Sequence, residues 1–246
     1  MIEPALRPLL LLIPGLLCDE ATWQAQIETL SAHADCIVAR HGMADSIEAM
    51  TRQALQLLPP DRPFSVAGHS MGGRCALEIA HVAPERLQRL VLLDTGYQAR
   101  PPGAVAETEA AQRADLLAVA RSQGMRAMGR QWARGMVHPS RWDSPVFEDI
   151  LRMVERFTPE QFAVQIQALL HRPDATILLP QIKVPTLLIC GREDTWSPLA
   201  RHQQMQRLIP GSQLEVIADC GHMSTMEQPA AVSQALAAWL APLYPA

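Results

Sequence analysis

Short runs of hydrophobic residues recur along the chain, and between them lie stretches in which hydrophobic residues repeat with the period of a helix. Most of the runs are followed directly by Gly or Asp. Unbroken apolar runs of this length are typical of strands that are buried on both faces of a parallel sheet. They predict six strands, at residues 9–13, 36–39, 64–67, 90–93, 186–190 and 214–218.

Amphipathic segments separate most of these predicted strands. Their apolar residues recur at the spacing that places side chains on one helical face. The segments cover residues 21–34, 46–58, 71–82, 198–208 and 229–240. Because strands and helices alternate, the pattern predicts βαβ units, and therefore an α/β fold with a doubly wound, mainly parallel sheet of about six strands.

One long segment interrupts this alternation after the fourth predicted strand. Between residues 98 and 181 the pattern predicts no strand, but helices at 105–123, 125–137, 146–157 and 159–171, with prolines at their boundaries. We expect this helical insertion to form a lid over the carboxyl edge of the sheet. The predicted division is an α/β core of residues 1–97 and 182–246, and a lid of residues 98–181.

Composition and charge exclude several classes of function. The 246 residues are 48% hydrophobic and 19% charged, with a net charge of −4, so the basic surface that recruits nucleic acid or anionic membranes is not expected. No apolar stretch approaches the roughly 18 residues needed to cross a bilayer. The five cysteines form no C-x-x-C pair, a usage that suits the reducing cytoplasm. We expect a cytoplasmic protein that acts on a small molecule, and the sequence does not indicate an oligomeric state.

A candidate nucleophile lies between the third predicted strand and the helix that follows it. The sequence there is Gly68-His69-Ser70-Met71-Gly72-Gly73. A serine on so tight a strand-to-helix turn needs small residues two positions away on either side, and the glycines supply them. The N-terminus of the following helix favours negative charge at the serine oxygen. The glycine patterns of phosphate-binding loops are absent, so we predict that Ser70 is the nucleophile.

The base and its acidic partner are predicted from the ends of later strands. His222 follows the last strand in Gly221-His222, on the same sheet edge as Ser70, and neutral imidazole can accept the serine proton near pH 7. A carboxylate must orient that imidazole. Asp194, after the fifth strand, is our choice, and Asp94, after the fourth, is the alternative.

An oxyanion hole requires two backbone N–H groups near the nucleophile. Met71, which follows Ser70, is expected to supply one. The turn after the first strand, Pro14-Gly15-Leu16-Leu17, is expected to supply the other through Leu16.

These motifs, in this order, resemble those of the α/β-hydrolase superfamily, and the resemblance extends over nearly the whole chain. It rests on Pro14-Gly15 with Trp23, the glycine-flanked Ser70, Gly191-Arg192-Glu193-Asp194 and Gly221-His222. The resemblance implies a serine hydrolase that cleaves a small carboxylic ester, thioester or lactone. No cofactor and no metal is expected, since neither a His pair at helical spacing nor a Cys cluster occurs.

Substrate binding is predicted at two further residues. Arg74 completes Gly-His-Ser-Met-Gly-Gly-Arg, which is similar to the motif of the menaquinone-pathway lyases of this fold, where the arginine helps to bind a substrate carboxylate. The alternative function is therefore a non-hydrolytic lyase acting on a carboxylate-bearing substrate. Trp132 could line an acyl pocket or pack the lid onto the core. Arg126, Arg130 and Arg134 share one helical face, either as an anion-binding wall or as a solvated surface.

Overall fold

The central element of the computed structural model, which describes residues 7–241, is a six-stranded, wholly parallel sheet. Its strands are β1 (Leu9–Ile13), β2 (Asp35–Val38), β3 (Phe64–His69), β4 (Leu87–Leu93), β5 (Thr186–Gly191) and β6 (Gln213–Ile217). They lie in the order β2-β1-β3-β4-β5-β6. The predicted core segments include residues 1–6 and 242–246, which lie outside the described residues.

Helices cover both faces of this sheet, as the prediction of a doubly wound fold requires. The helices of the core are α1 (Gln24–Leu30), α2 (Ile47–Leu55), α3 (Met71–Val82), α8 (Leu199–Leu208), α9 (Ser224–Glu227) and α10 (Pro229–Leu240). Leu10 and Leu12 of β1 pack with the apolar face formed by α1 and α10, whereas Leu11 and Ile13 pack toward α2, α3 and α8. The short α9 is not predicted by the hydrophobic pattern.

The prediction of six strands buried on both faces is wrong for the two edges of the sheet. In β6, Gln213 and Glu215 are exposed, and the residues of β2 are half-buried. An edge strand has a neighbour on one side only, so the flanking helices cover it incompletely. The single helix predicted at residues 21–34 is a 3₁₀ turn (Glu20–Trp23) followed by α1.

The helical insertion lies between β4 and β5. It contains α4 (Ala104–Gln123), α5 (Met125–Ala133), α6 (Pro145–Glu155) and α7 (Pro159–Leu170). Most of its buried apolar side chains, among them Met128, Ile150 and Phe162, belong to the same hydrophobic cluster as Leu11 and Ile13 of β1. The insertion and the sheet are therefore packed on one another. No helix in residues 7–241 is both long enough and apolar enough to span a membrane.

The strand order brings the chemically important turns to one edge of the sheet. The chain leaves β1 toward β2 on one side and returns to β3 on the other, so β1 and β3 flank a topological switch point, where open α/β sheets bind their ligands. Ile13, at the end of β1, pairs with Gly68 near the end of β3. The turns that follow β1, β3, β5 and β6 therefore meet at this edge.

Candidate active site

Ser70 lies on a strained turn between β3 and α3. Its backbone has φ 55° and ψ −114°, a region that residues other than glycine rarely occupy. A Cβ atom on Gly72 would overlap the carbonyl oxygen of Ile13, so the turn can pack against β1 only with glycine there. The Ser70 N–H donates to the Leu93 oxygen at 2.9 Å, which anchors the turn to β4.

His222 joins Ser70 to Asp194 through its two ring nitrogens. Its Nε2 lies 2.8 Å from Ser70 Oγ, and its Nδ1 lies 2.8 Å from Asp194 Oδ2. A carboxylate can only accept, so Nδ1 carries the proton and Nε2 is free to accept from the serine hydroxyl. The three predicted triad residues are thus brought together in the geometry of a nucleophile, a base and an orienting acid.

The charges around His222 favour its protonated form. Burial opposes that form, but Asp194, by its charge and its hydrogen bond, raises the pKa of His222 above its ordinary value. Burial also opposes ionisation of Asp194. There the imidazole, with the N–H groups of Trp196 at 2.8 Å and Ser197 at 2.9 Å, holds the pKa of Asp194 below its usual range. Asp194 is therefore suited to stabilise the imidazolium form of His222.

Asp94 lies beside this pair but does not bind His222. Its oxygens accept the N–H groups of Gly191 at 2.9 Å and Ser224 at 3.3 Å. Complete burial and the nearby Asp194 raise the pKa of Asp94 to about 8, so its carboxyl is largely protonated at neutral pH. Of the two candidate acids, Asp194 is the one in contact with the imidazole.

The described residues contain one group of side chains close enough together to hold a metal ion. Donor atoms of Asp94, Cys190 and Asp194 lie within 4.8 Å of one another, and all three residues are buried. Metal ligands must be deprotonated, but burial raises the pKa of Asp94 and of the Cys190 thiol. Both carboxyl groups already accept hydrogen bonds. The group therefore fits a hydrogen-bonded network better than a metal centre.

Two backbone N–H groups beside Ser70 have no acceptor among the residues described. They belong to Leu16 and Met71, the two predicted oxyanion donors. The turn that holds Leu16 is fixed from both sides. His41 Nε2 lies 2.8 Å from the Pro14 oxygen, and the Leu17 N–H donates to Gln165 of α7 at 2.9 Å. The backbone on both sides of Leu16 is thus held by hydrogen bonds, while the Leu16 N–H itself is free. A fixed position and a free N–H are what an oxyanion donor requires.

A cavity of about 530 Å³ opens over Ser70 and is lined by both the core and the insertion. Trp132 of α5 forms part of its wall. The ring centroid of Trp132 lies 5.3 Å from that of Trp196, which lies 5.1 Å from the ring of His222. An aromatic wall therefore runs from the insertion to the imidazole. Trp196 is a member of this wall that sequence patterns did not identify.

Four arginines line the same cavity: Arg74, Arg113, Arg172 and Arg201. The last three were not predicted, because they come from distant parts of the chain. Arg126, Arg130 and Arg134 are not among the lining residues. Arg126 pairs with Glu148 and Glu155, and the guanidinium of Arg134 covers Trp142, so the interpretation of an anion-binding wall on α5 is not supported.

Comparison with known proteins assigns the family. A family model described as the alpha/beta hydrolase fold matches residues 8–229, nearly the whole chain. The chain belongs to the α/β-hydrolase family. It is accordingly an enzyme of the hydrolase class, and the predicted superfamily and fold are confirmed.

The similar proteins include esterases and a lipase. The chain is 27% identical over 240 residues to a pimeloyl-[acyl-carrier protein] methyl ester esterase of Nitrosomonas europaea, covering 90% of this chain and 91% of that protein. It is 26% identical over 210 residues to the sn-1-specific diacylglycerol lipase ABHD11 of Mus musculus, covering 82% of this chain and 67% of that one. A solved structure of a thermophilic esterase from Thermogutta terrifontis, with malate bound, superposes with a TM-score of 0.85 at 31% identity, covering 97% of this chain and 91% of the other.

The raised pKa of Asp94 predicts how an Asp94→Asn substitution depends on pH. In the unfolded chain Asp94 ionises near its ordinary value, whereas in the fold it stays protonated up to about pH 8. The stability that wild-type Asp94 contributes is therefore present at low pH and is lost progressively as the pH rises toward 8. We expect the free energy of unfolding of Asp94→Asn, relative to that of wild type, to increase steadily from pH 5 to pH 8 in urea titrations.

The exposed Asp219→Asn is the control for the loss of one carboxyl group. A stability difference between Asp94→Asn and wild type that is constant, or that worsens with rising pH, would show that Asp94 is ionised in the fold.

Proposed function

We propose that the protein is a serine hydrolase that cleaves a small carboxylic ester, thioester or lactone through an acyl-enzyme at Ser70. The observation that carries the proposal is the continuous arrangement Ser70–His222–Asp194, with 2.8 Å at each contact, beside a cavity large enough for a small substrate. The relatives whose names are esterase and lipase support the same class of bond.

The proposed reaction has two half-reactions. Ser70 Oγ attacks the carbonyl carbon as its proton passes to His222 Nε2, and Asp194 stabilises the imidazolium. The carbonyl oxygen becomes an oxyanion that accepts hydrogen bonds from the free N–H groups of Leu16 and Met71. His222 then returns the proton to the leaving alcohol or thiol. In the second half-reaction, His222 takes a proton from water, which attacks the acyl carbon, releases the acid and restores Ser70.

We propose that the insertion, residues 98–181, acts as a lid, and that Trp132 binds the acyl group. Trp132 lies between Trp196 and Phe162, with ring centroids 5.3 and 6.2 Å away, so its ring is held in place by aromatic neighbours. An apolar face next to the nucleophile would bind an acyl chain by removing it from water.

Arg74 is proposed to bind an acidic group of the substrate. Its Nη1 donates to the Gln98 oxygen at 2.9 Å, and no carboxylate in residues 7–241 forms an ion pair with it. Burial and the charges of Arg172 and Arg201 lower the pKa of Arg74 to about 9 against the opposing charge of Glu109, so it remains charged at pH 7. A desolvated cation beside other cations is stabilised by an anion. Arg113 and Arg172, in contrast, share Glu109.

A second candidate function, a lyase acting on a carboxylate-bearing substrate, is favoured by this same unpaired Arg74. The two functions differ in their use of water. A hydrolase places one oxygen atom from water in its acid product, whereas a lyase does not. Reaction in water enriched in ¹⁸O, followed by mass spectrometry of the product, separates them.

We also propose that the enzyme works in the cytoplasm. All five cysteines are free, and four of them are buried. A reducing compartment keeps such thiols unpaired.

Removing the nucleophile is expected to abolish ester hydrolysis. With p-nitrophenyl esters from acetate to octanoate, kcat of Ser70→Ala should fall by about 10³-fold or more, because no acyl-enzyme can form. The ester with the highest kcat/KM would show which length of acyl chain the cavity accommodates best. The exposed Ser122→Ala is the control for the same change elsewhere. Hydrolysis by Ser70→Ala at the wild-type rate would contradict the assignment of the nucleophile.

The two aspartates are expected to differ in their effect on rate. Asp194→Asn should lower kcat by about 10⁴-fold, because an amide cannot hold His222 in the required tautomer. Asp94→Asn should cost far less, since an amide closely resembles the protonated carboxyl of Asp94. Steady-state kinetics on the best ester of the series would check this. A greater loss in Asp94→Asn would make Asp94 the acid of the triad.

The Arg74→Ala substitution is expected to lower activity on acidic substrates much more than on neutral ones. For a p-nitrophenyl monoester of glutaric acid, kcat/KM should fall roughly 10- to 150-fold, which corresponds to a charged hydrogen bond of about 1.5–3 kcal/mol. For p-nitrophenyl valerate, which has the same chain length and no carboxylate, little change is expected. The exposed Arg130→Ala is the control. An equal loss on both esters would assign Arg74 a structural role.

A further inference from the structure

Three consecutive backbone N–H groups around His222 are all bound. Oε1 of Glu227 accepts the N–H groups of Gly221 and Met223, at 3.1 Å each. The N–H of His222 itself donates to the carbonyl oxygen of Met136. This loop lies between β6 and α9, outside regular secondary structure. The backbone N–H groups of the residues before and after the histidine are therefore held by one side chain.

The same carboxylate also binds the helical insertion. Oε2 of Glu227 accepts the N–H of His138 at 2.7 Å and that of Gly221 at 3.2 Å. His138 follows Met136 in the segment after α5, so both contacts reach the same part of the insertion. A Cβ atom on Gly221 would overlap the Met136 oxygen, so only glycine permits this approach. Glu227 thus joins the histidine loop to residues 136–138.

Burial makes this carboxylate costly unless its hydrogen bonds are made. Glu227 is 5% exposed, and burial raises its pKa, while the N–H groups of His138, Gly221 and Met223 and the charge of Arg141 act against the rise. All of its hydrogen bonds go to backbone N–H groups of the two segments beside the candidate base. It does not line the cavity. Its contacts are those of a group that acts through His222 and not on substrate.

We propose that Glu227 is a positioning residue that holds the backbone of the His222 loop and joins it to residues 136–138 of the insertion. The inference rests on the proposed role of His222 as the base. A displacement of about 1 Å in a catalytic group can lower a rate by 10²-fold, so a fixed backbone beneath the imidazole has a direct effect on turnover.

Glu227 also contributes to the electrostatic environment of the imidazole. The ionisable groups that face His222 are Asp194 after β5, Asp94 after β4, His69 at the end of β3, His202 on α8 and Glu227 on α9. Among these the charge of Glu227 acts with Asp194 to raise the pKa of His222. Neutralising Glu227 therefore lowers that pKa, an effect that a purely structural residue would not produce.

The first test is Glu227→Gln, which keeps the shape but presents an amide to the three N–H groups. We expect kcat to fall by about 10²-fold with KM little changed. The acid limb of the kcat/KM profile should move to lower pH, because that limb reports the base of the free enzyme. Glu215→Gln, the same change at an exposed site on β6, is the control. A folded Glu227→Gln with wild-type kcat and an unmoved acid limb would overturn the proposal.

A second pair of variants tests the hydrogen bond between His138 and Glu227 by changing His138. His138→Pro removes the N–H that donates to Glu227, and its φ of −57° lies within the range of proline. His138→Ala loses the side chain but keeps the N–H. We expect a lower kcat in His138→Pro than in His138→Ala. Equal kcat values would overturn the proposal, even if Glu227→Gln did not fold.

A measurement without turnover separates this inference from the proposed function. NMR can follow both the titration of the His222 ring and its Nδ1–H resonance. The proposal predicts a lower pKa of His222 and a broadened Nδ1–H signal in Glu227→Gln, whether or not any ester is hydrolysed. If both are unchanged, the positioning role is wrong. If both change while wild type turns over no substrate, the positioning role stands and the proposed function fails.

Discussion

The tight turn at Ser70 is the constraint on which the site depends. Its left-handed backbone directs Oγ toward His222 and places the N–H of Met71 beside it. The turn can exist because Gly68 and Gly72 allow its close packing, and Gly72 lets α3 approach the end of β1. That approach carries the Leu16 turn to the nucleophile, and the first turn of α3 carries Arg74 into the same cavity. Nucleophile, oxyanion donors and substrate contact thus follow from one local conformation.

Three buried carboxyl groups lie around His222, and each has different surroundings. Asp194 receives the imidazole and two N–H groups, so its charged form is stabilised. Asp94 receives two N–H groups but lies next to the charge of Asp194, and it is largely protonated at neutral pH. Glu227 receives backbone N–H groups from the histidine loop and from the insertion. The three carboxyl groups therefore differ because burial, neighbouring charges and hydrogen-bond donors combine differently around each of them.

Much of the fold and the centre of the site could be predicted from sequence, because local signals determine them. The apolar runs predicted the strands of the sheet, and glycines around Ser70 and before His222 marked two of its turns. The partly exposed edge strands were not predicted, since exposure depends on neighbours in the sheet. Arg201, Trp196, Gln165 and Glu227 were missed for a related reason. Each acts through three-dimensional contacts, such as that of Glu227 with His138, which no periodicity or spacing in the sequence records. The choice between Asp94 and Asp194 likewise needed the position of the imidazole.

The central claim is that Ser70, activated by His222, forms a covalent acyl-enzyme. Its most direct test is mass spectrometry of the protein after reaction with a fluorophosphonate, which traps an activated serine. The account predicts one adduct per chain, located in the peptide that contains Ser70, and greatly slowed labelling in His222→Ala. An adduct on another residue, or no adduct on a folded wild-type protein, would contradict it.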